Sequence, residues 1–438
     1  MNERSPREQE LLDLAGRLLP GGARSVSPIP GHGMVVKEGR GSRIWDVSGT
    51  EYIDYLLGSG PLFLGHAHPA VVTAVREQLE RGTSYLVVNE AAVRLAQEIV
   101  DAVPCAEQVA LYSTGTEATF FAMRLARAYR GRDKILKFEG AFHGMSDYAL
   151  MSNQWTQTPL DYPAAVPNSA GIPAAVAADM LVAPFNDAET TAAIIEKHRD
   201  ELAGVIVEPL HRTIPPRDGF LGELRAITSR FEIPLIFDEV VTGFRLAFGG
   251  AQERYGVVPD LCALGKSISA GHPLGVVCGR EDIMSLASPA RGREKLVMQT
   301  GTFSGNAVSA VAALASIEVL KQPGVYDDAA RRGGRLMCSL QGLFDEAGIA
   351  AQVTGETLVF QPWFTSEKIV DFRSTRSADR KISALFTDLL WQHGVVKGHE
   401  KFFVSVVHSD EDIDQTLATA RTVVEELAAG SRARGEES

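Results

Sequence analysis

Apolar residues follow two rhythms along this chain. From about residue 70 to residue 320, helically spaced stretches alternate with short unbroken apolar runs. The runs are Val109–Tyr112, Ile135–Phe138, Val205–Val207, Pro234–Phe237 and Leu261–Leu264. They are β-branched or bulky, lack polar alternation and are bounded by turn residues, as are strands buried on both faces of a parallel sheet. Strand–helix alternation over this length predicts an α/β domain with a mostly parallel sheet. Upstream, the spacing predicts a helix from Gln9 to Leu19, stopped by Pro20-Gly21-Gly22. Short antiparallel strands are predicted from Met34 to Tyr55, turning at Ser48-Gly49. After Gly324 come a long helical stretch, strands near Val353–Phe360 and Phe402–Val407, a last helix from Glu411 and a polar, frayed tail, Ser431–Ser438.

Composition narrows the class. The chain has 438 residues, 45% hydrophobic and 22% charged, enough for a large core and incompatible with whole-chain disorder. A net charge of −12 argues against a nucleic-acid binder, which needs a basic face. No run of about 18 apolar residues predicts a membrane span, and the charged start, Met1 to Glu8, does not read as a secretion signal. The cytoplasm is the expected location. Cys105, Cys262, Cys278 and Cys338 have no CxxC spacing, so neither a disulfide framework nor a metal site is expected.

Three segments carry candidate chemistry. Ser113-Thr114-Gly115-Thr116-Glu117-Ala118 joins a predicted strand to a predicted helix. Small residues there let the backbone approach a ligand, and the free amides of a helix N-terminus favour an anion; an ordinary helix cap is the alternative. Asp238 closes a buried apolar run, on the sheet edge where α/β folds bind ligands. It can hold a cation or cap a helix. Glu208, in Val207-Glu208-Pro209, has the same two readings. Lys266 follows another buried run in a loop of small residues. Desolvation and neighbouring positive charge there would lower its pKa and make it a nucleophilic amine; a solvated surface lysine is the alternative. A phosphate cradle, a carboxylate for a ring nitrogen and a Schiff-base lysine are together the parts that hold pyridoxal phosphate. No GxGxxG joins a strand to a helix, so a nicotinamide fold is not indicated.

The ordered set of motifs resembles the class III, ornithine-type, pyridoxal-phosphate aminotransferases, most of all their glutamate-1-semialdehyde aminomutase-like group. It runs from Leu19-Pro20-Gly21-Gly22 through Gly65-His66-Ala67-His68-Pro69, Ser113 to Ala118 and Lys137 to Gly144. It continues through Val207-Glu208-Pro209, Asp238-Glu239-Val240, Gly265-Lys266 and Gly301 to Asn306, ending at His408 to Asp414. The resemblance implies fold type I: a large cofactor domain over residues 70–323 and a smaller α+β domain built from residues 1–69 and 324–438. It implies pyridoxal 5′-phosphate bound by Gly115, Thr116, Phe142, Glu208, Asp238, Val240, Lys266 and Thr302. Lys266 would form the Schiff base and move the proton, Asp238 would partner the pyridinium, and Val240 and Phe142 would flank the ring. Many relatives have Tyr where Phe142 stands. Thr302 would reach the phosphate of a neighbouring subunit, placing the active site at a homodimer interface. His143 is expected either to line the pocket or to be structural. His66 and His68 are expected to be structural or to contact the other subunit.

The substrate is less legible. Arg24 and Ser25 lie in an Arg-Ser-Val segment resembling the carboxylate clamp of aminotransferases that act on β-amino acids. Aminomutases carry a different segment there and a Trp where Ser59 stands. Glu400 falls near a carboxylate found in aminomutases. Asn153–Pro173 aligns with a lid. The expected reaction moves an amino group between a carboxylate-bearing donor, β-amino acids included, and an oxo acid acceptor; intramolecular transfer of the aminomutase type is the alternative.

Overall fold

The computed structural model describes residues 4–20, 33–154, 160–291, 294 and 296–435. The chain divides into two compact units: 1–69, 323–368 and 374–438 form the smaller, and 70–322 with 369–373 the larger.

The smaller unit opens with α1 (Pro6–Leu18), capped by the Ser5 hydroxyl, which accepts from Glu8 N. Proline at its first turn has no amide to lose there. Strands β1 (Val36–Arg40), β2 (Arg43–Asp46) and β3 (Glu51–Asp54) form an antiparallel meander. Gly49, at φ +90°, supplies the turn after β2.

In the larger unit, α2 (Pro69–Arg81) and α3 (Glu90–Ala102) lead to β4 (Gln108–Tyr112) and α4 (Gly115–Arg130). Then follow β5 (Lys134–Phe138), α5 (Ala174–Ala178), β6 (Met180–Ala183), α6 (Ala188–His198) and β7 (Leu202–Val207). Next are α7 (Phe220–Arg230), β8 (Leu235–Glu239), α8 (Gly250–Tyr255), β9 (Leu261–Leu264) and β10 (Gly275–Gly279). The short α9 (Glu281–Met284) and the apolar α10 (Ala307–Leu320) complete it. The seven strands are ordered β4-β10-β9-β8-β7-β5-β6. All are parallel except β10, which runs antiparallel to both β4 and β9. Strands β6 to β9 are buried at every position, as a sheet covered on both faces requires.

Back in the smaller unit, α11 (Val325–Glu346) precedes the hairpin β11 (Gln352–Glu356) and β12 (Val359–Trp363). Then come α12 (Arg380–Gln392), β13 (Val395–Val396), β14 (Phe402–Phe403) and α13 (Asp410–Gly435). β13 joins the N-terminal meander in parallel with β3, so the two ends of the chain share one sheet. Helix α13 continues to Gly435, where the polar composition predicts a frayed tail from Ser431. The second predicted strand shortens to Phe402–Phe403 because the chain turns at Ser405–His408, where His408 Nδ1 accepts from Ser405 N at 3.0 Å. Among the described residues no single helix is long and apolar enough to cross a membrane.

Candidate active site

The C-terminal ends of β4, β5, β7, β8 and β9 deliver their following loops to one edge of the large sheet. That is the edge where open α/β sheets place ligands. It carries Thr114-Gly115-Thr116, Phe142-His143, Glu208, Asp238-Glu239-Val240 and Lys266.

Helix α4 starts with a reciprocal cap. Thr114 Oγ1 accepts from Glu117 N at 3.1 Å, and Glu117 Oε2 accepts from Ser113 N at 3.1 Å. The amides of Gly115 and Thr116, one turn too early for intrahelical partners, are left pointing out of the helix. The backbone is packed too closely there for larger residues. A Cβ on Gly115 would lie 2.9 Å from Val240 Cγ1, and one on Gly275 would lie 2.0 Å from the Thr114 carbonyl oxygen.

The loop after β5 is tied from three sides. Lys137 is fully buried, and its Nζ donates to the carbonyls of Ala141 (2.9 Å), Ala149 (3.1 Å) and Met151 (2.5 Å). Burial pushes this ammonium down to about 7, with Glu208 opposing the shift. Thr119 Oγ1 donates to the His143 carbonyl at 2.5 Å, and Arg373 Nε donates to Glu139 Oε2 at 2.7 Å. The bracing fixes the buried His143 imidazole, whose Nδ1 lies 2.7 Å from Asp238 Oδ2. Its Nε2 is buried with no partner among the described residues. Asp238 Oδ1 accepts from Val240 N at 3.1 Å. Both carboxylate oxygens are therefore oriented, in a residue only 5% exposed. The structure thus puts His143 against Asp238; its sequence neighbour Phe142 is exposed.

Lys266 sits in the left-handed region at φ +40°, a strained conformation for a lysine. Burial pushes its amine down to about 8, against the pull of Asp238 and Glu208 and aided by Arg245 and Arg212. Glu208 is buried and accepts from Arg212 N at 3.2 Å. Arg212, also left-handed at φ +62°, lies 5.9 Å over the Phe142 ring. No sequence motif marks this arginine. Its placement follows from the tight turn after Glu208, which only the folded loop reveals.

Thr302 is exposed, and its carbonyl accepts from Ser84 Oγ at 3.4 Å. Beside it, Asn89 Nδ2 donates to Gly305 O at 2.8 Å and Asn306 Nδ2 to Thr83 O at 3.0 Å. Arg24 and Ser25 lie outside the described residues. Glu400 belongs to the smaller unit, near the buried Lys397, whose amine burial pushes down to about 7. His66 Nε2 pairs with Asp54 Oδ2 at 2.7 Å. Within the expected lid segment, Trp155 lies outside the described residues, while Tyr162 donates to Glu139 Oε2 at 2.6 Å.

These parts fit pyridoxal phosphate. The α4 amides suit its phosphate, Asp238 suits a protonated ring nitrogen, Val240 and Phe142 offer apolar faces, and Lys266 offers the amine. A large parallel-sheet unit with this edge defines a fold-type I pyridoxal-phosphate enzyme. Residues 23–423 match the model of the class III aminotransferases, and the chain belongs to that family. It is 42% identical, over 96% of its length and 99% of the relative's, to a glutamate-1-semialdehyde 2,1-aminomutase from Methanothermobacter thermautotrophicus. Among solved structures it resembles an omega-transaminase from Sphaerobacter thermophilus, with TM-score 0.92, 33% identity, and 97% and 98% of the two chains covered. It also resembles a β-phenylalanine aminotransferase from Variovorax paradoxus, with TM-score 0.87, 29% identity, and 97% and 95% covered. Proteins of this family work with pyridoxal 5′-phosphate.

Proposed function

We propose that this chain moves an amino group within one small carboxylate-bearing substrate, in the manner of a glutamate-1-semialdehyde aminomutase. The full-length likeness to an aminomutase at 42% identity carries this reading above transfer between two substrates. Transfer from a donor to a separate oxo acid is the second reading. It is favoured by Ser59, by the Arg24-Ser25-Val26 segment and by the 33% identical omega-transaminase.

Bound pyridoxal phosphate supplies an aldehyde for amines and a ring that accepts the electron pair left by a departing proton. In both readings Lys266 provides the amine that holds the aldehyde, and its free form moves a proton at the substrate carbon. A lysine near 8 has enough neutral amine to do so close to physiological pH. Asp238 holds positive charge on the ring nitrogen, and His143 keeps that carboxylate aimed. The Gly115 and Thr116 amides hold the phosphate, Val240 and Phe142 confine the ring, and Glu208 adds negative charge beside Lys266. Arg212, with Arg24, is assigned to the substrate carboxylate. Glu400 and Ser25 are assigned to the substrate side.

The working unit is proposed to be a homodimer with Thr302 reaching the partner's phosphate. An apolar strip supports this: Leu86, Val87 and Val88 are 78%, 72% and 84% exposed, and Phe303, next to Thr302, is 61% exposed. Such a strip marks an interaction surface.

The deciding experiment supplies glutamate-1-semialdehyde to the purified, cofactor-loaded enzyme with no added amino acceptor. Sustained multiple turnover to the isomer supports intramolecular transfer. A single turnover that resumes only when an oxo acid is added supports the second reading.

A further inference from the structure

Three of the four cysteines, far apart in the chain, meet inside the larger unit. Cys262 on β9 faces Cys278 on β10 directly across the antiparallel pair. Cys105, in the segment between α3 and β4, closes over them. The three sulfur atoms lie within 4.8 Å of one another, and all three residues are buried. Cys262 is level with Phe237 on β8, so it shares that residue's face of the sheet. Asp238, one residue on, points to the opposite face. The thiols therefore stand apart from the candidate active site.

The main chain that carries the third thiol is held by a buried hydrogen-bond chain. The Cys105 backbone amide donates to Gln252 Oε1 at 3.0 Å, and Gln252 Nε2 donates to Glu239 Oε1 at 3.1 Å. Glu239 is in turn fixed by the Ala251 amide (2.5 Å) and the Thr242 hydroxyl (2.9 Å). The chain fixes where the Cys105 Cβ, and with it the sulfur, stands over the other two thiols.

We propose that Cys105, Cys262 and Cys278 form a binding site for a monovalent copper ion. Metal–sulfur bonds of about 2.3 Å place three sulfurs around one ion roughly 4 Å apart, within the spacing available here. Soft thiolates select copper(I) or zinc. A closed structural zinc site takes four protein ligands, and among the described residues no histidine, carboxylate or further cysteine joins the group. Copper(I) is satisfied by three.

The test uses the purified, cofactor-loaded full chain with Cys338→Ser, which removes the exposed thiol. It is loaded anaerobically with copper(I) in the presence of a competing copper(I) chelator, then desalted. One copper retained per chain, with an X-ray absorption spectrum fitted by three sulfur neighbours, is the expected result. Cys105→Ala and Cys278→Ala, each added singly and checked for native circular dichroism, are expected to lower retained copper about tenfold or more. Loss of all copper to the chelator overturns the site. So does equal retention by the folded Cys105→Ala variant, or a spectrum with fewer than three sulfurs.

Discussion

The Nδ1 atom of His143 lies 2.7 Å from Oδ2 of Asp238, with both side chains almost wholly buried. The contact joins the loop after β5 to the end of β8 and leaves the carboxylate one orientation. His143→Ala is expected to lower kcat roughly 10–100-fold with KM nearly unchanged, because the loss is of aim and not of substrate contact. His143→Gln, which can still donate to the carboxylate, should recover part of it. Steady-state kinetics on both variants check this; a KM effect alone would move His143 to the substrate side.

Lys266 is expected to be indispensable. Lys266→Ala should lose the visible absorbance of the lysine-bound cofactor and at least about 10²–10⁴-fold in turnover, while the phosphate cradle still retains cofactor noncovalently. In the wild-type apoprotein, capture of pyridoxal phosphate requires the neutral amine. Its rate should rise with pH and level off above about 8, where an unperturbed lysine would keep rising to about 10.4. Stopped-flow absorbance across pH measures the midpoint.

Arg212 and Arg24 are both assigned to substrate carboxylate. Each single change to Ala should raise KM for carboxylate substrates about 10–100-fold and leave simple amines nearly unaffected. An equal effect on both substrate types would remove that residue from the role.

Lys137 is expected to serve the structure. Lys137→Met strips one donor from three buried carbonyls, and a cost of about 2–5 kcal/mol follows. Its linkage has a definite sign. A lysine whose amine burial lowers to about 7 binds fewer protons folded than unfolded between that pH and about 10.4, so stability should rise with pH across this window. The variant should lose that rise in denaturant titrations.

The exposed apolar strip gives a test of assembly. Val88→Glu combined with Phe303→Glu should convert a dimer to monomers in sedimentation velocity and abolish activity. A dimer that survives both charges is built on another surface.

Much of this organisation was legible before any coordinates. The unbroken apolar runs marked five strands, since a strand covered on both faces leaves no polar alternation to confuse the reading. Two strands of the large sheet escaped. Met180–Ala183 is short, and Gly275–Gly279 is bracketed by glycines that read as turn. In the structure those glycines are demanded by close backbone approach, to Thr114 at one end and Asp260 at the other. Lys266, Asp238 and the Gly115-Thr116 turn stood out because chemistry-bearing residues directly follow apolar runs. The His143–Asp238 pair, the Arg212 placement and the cysteine trio did not. Each joins residues distant in the chain, and linear spacing carries no trace of such meetings.

Residues Ile369–Arg373 belong to the larger unit although they lie some way past its main segment. Arg373 pairs with Glu139 across 234 residues, and Phe372 fills the space a side chain on Gly140 would need. As the chain leaves the ribosome, the loop bearing Phe142 and His143 therefore waits for its last brace until some 230 further residues have been made. A fragment of the larger unit ending at residue 322 would lack a piece of its own wall.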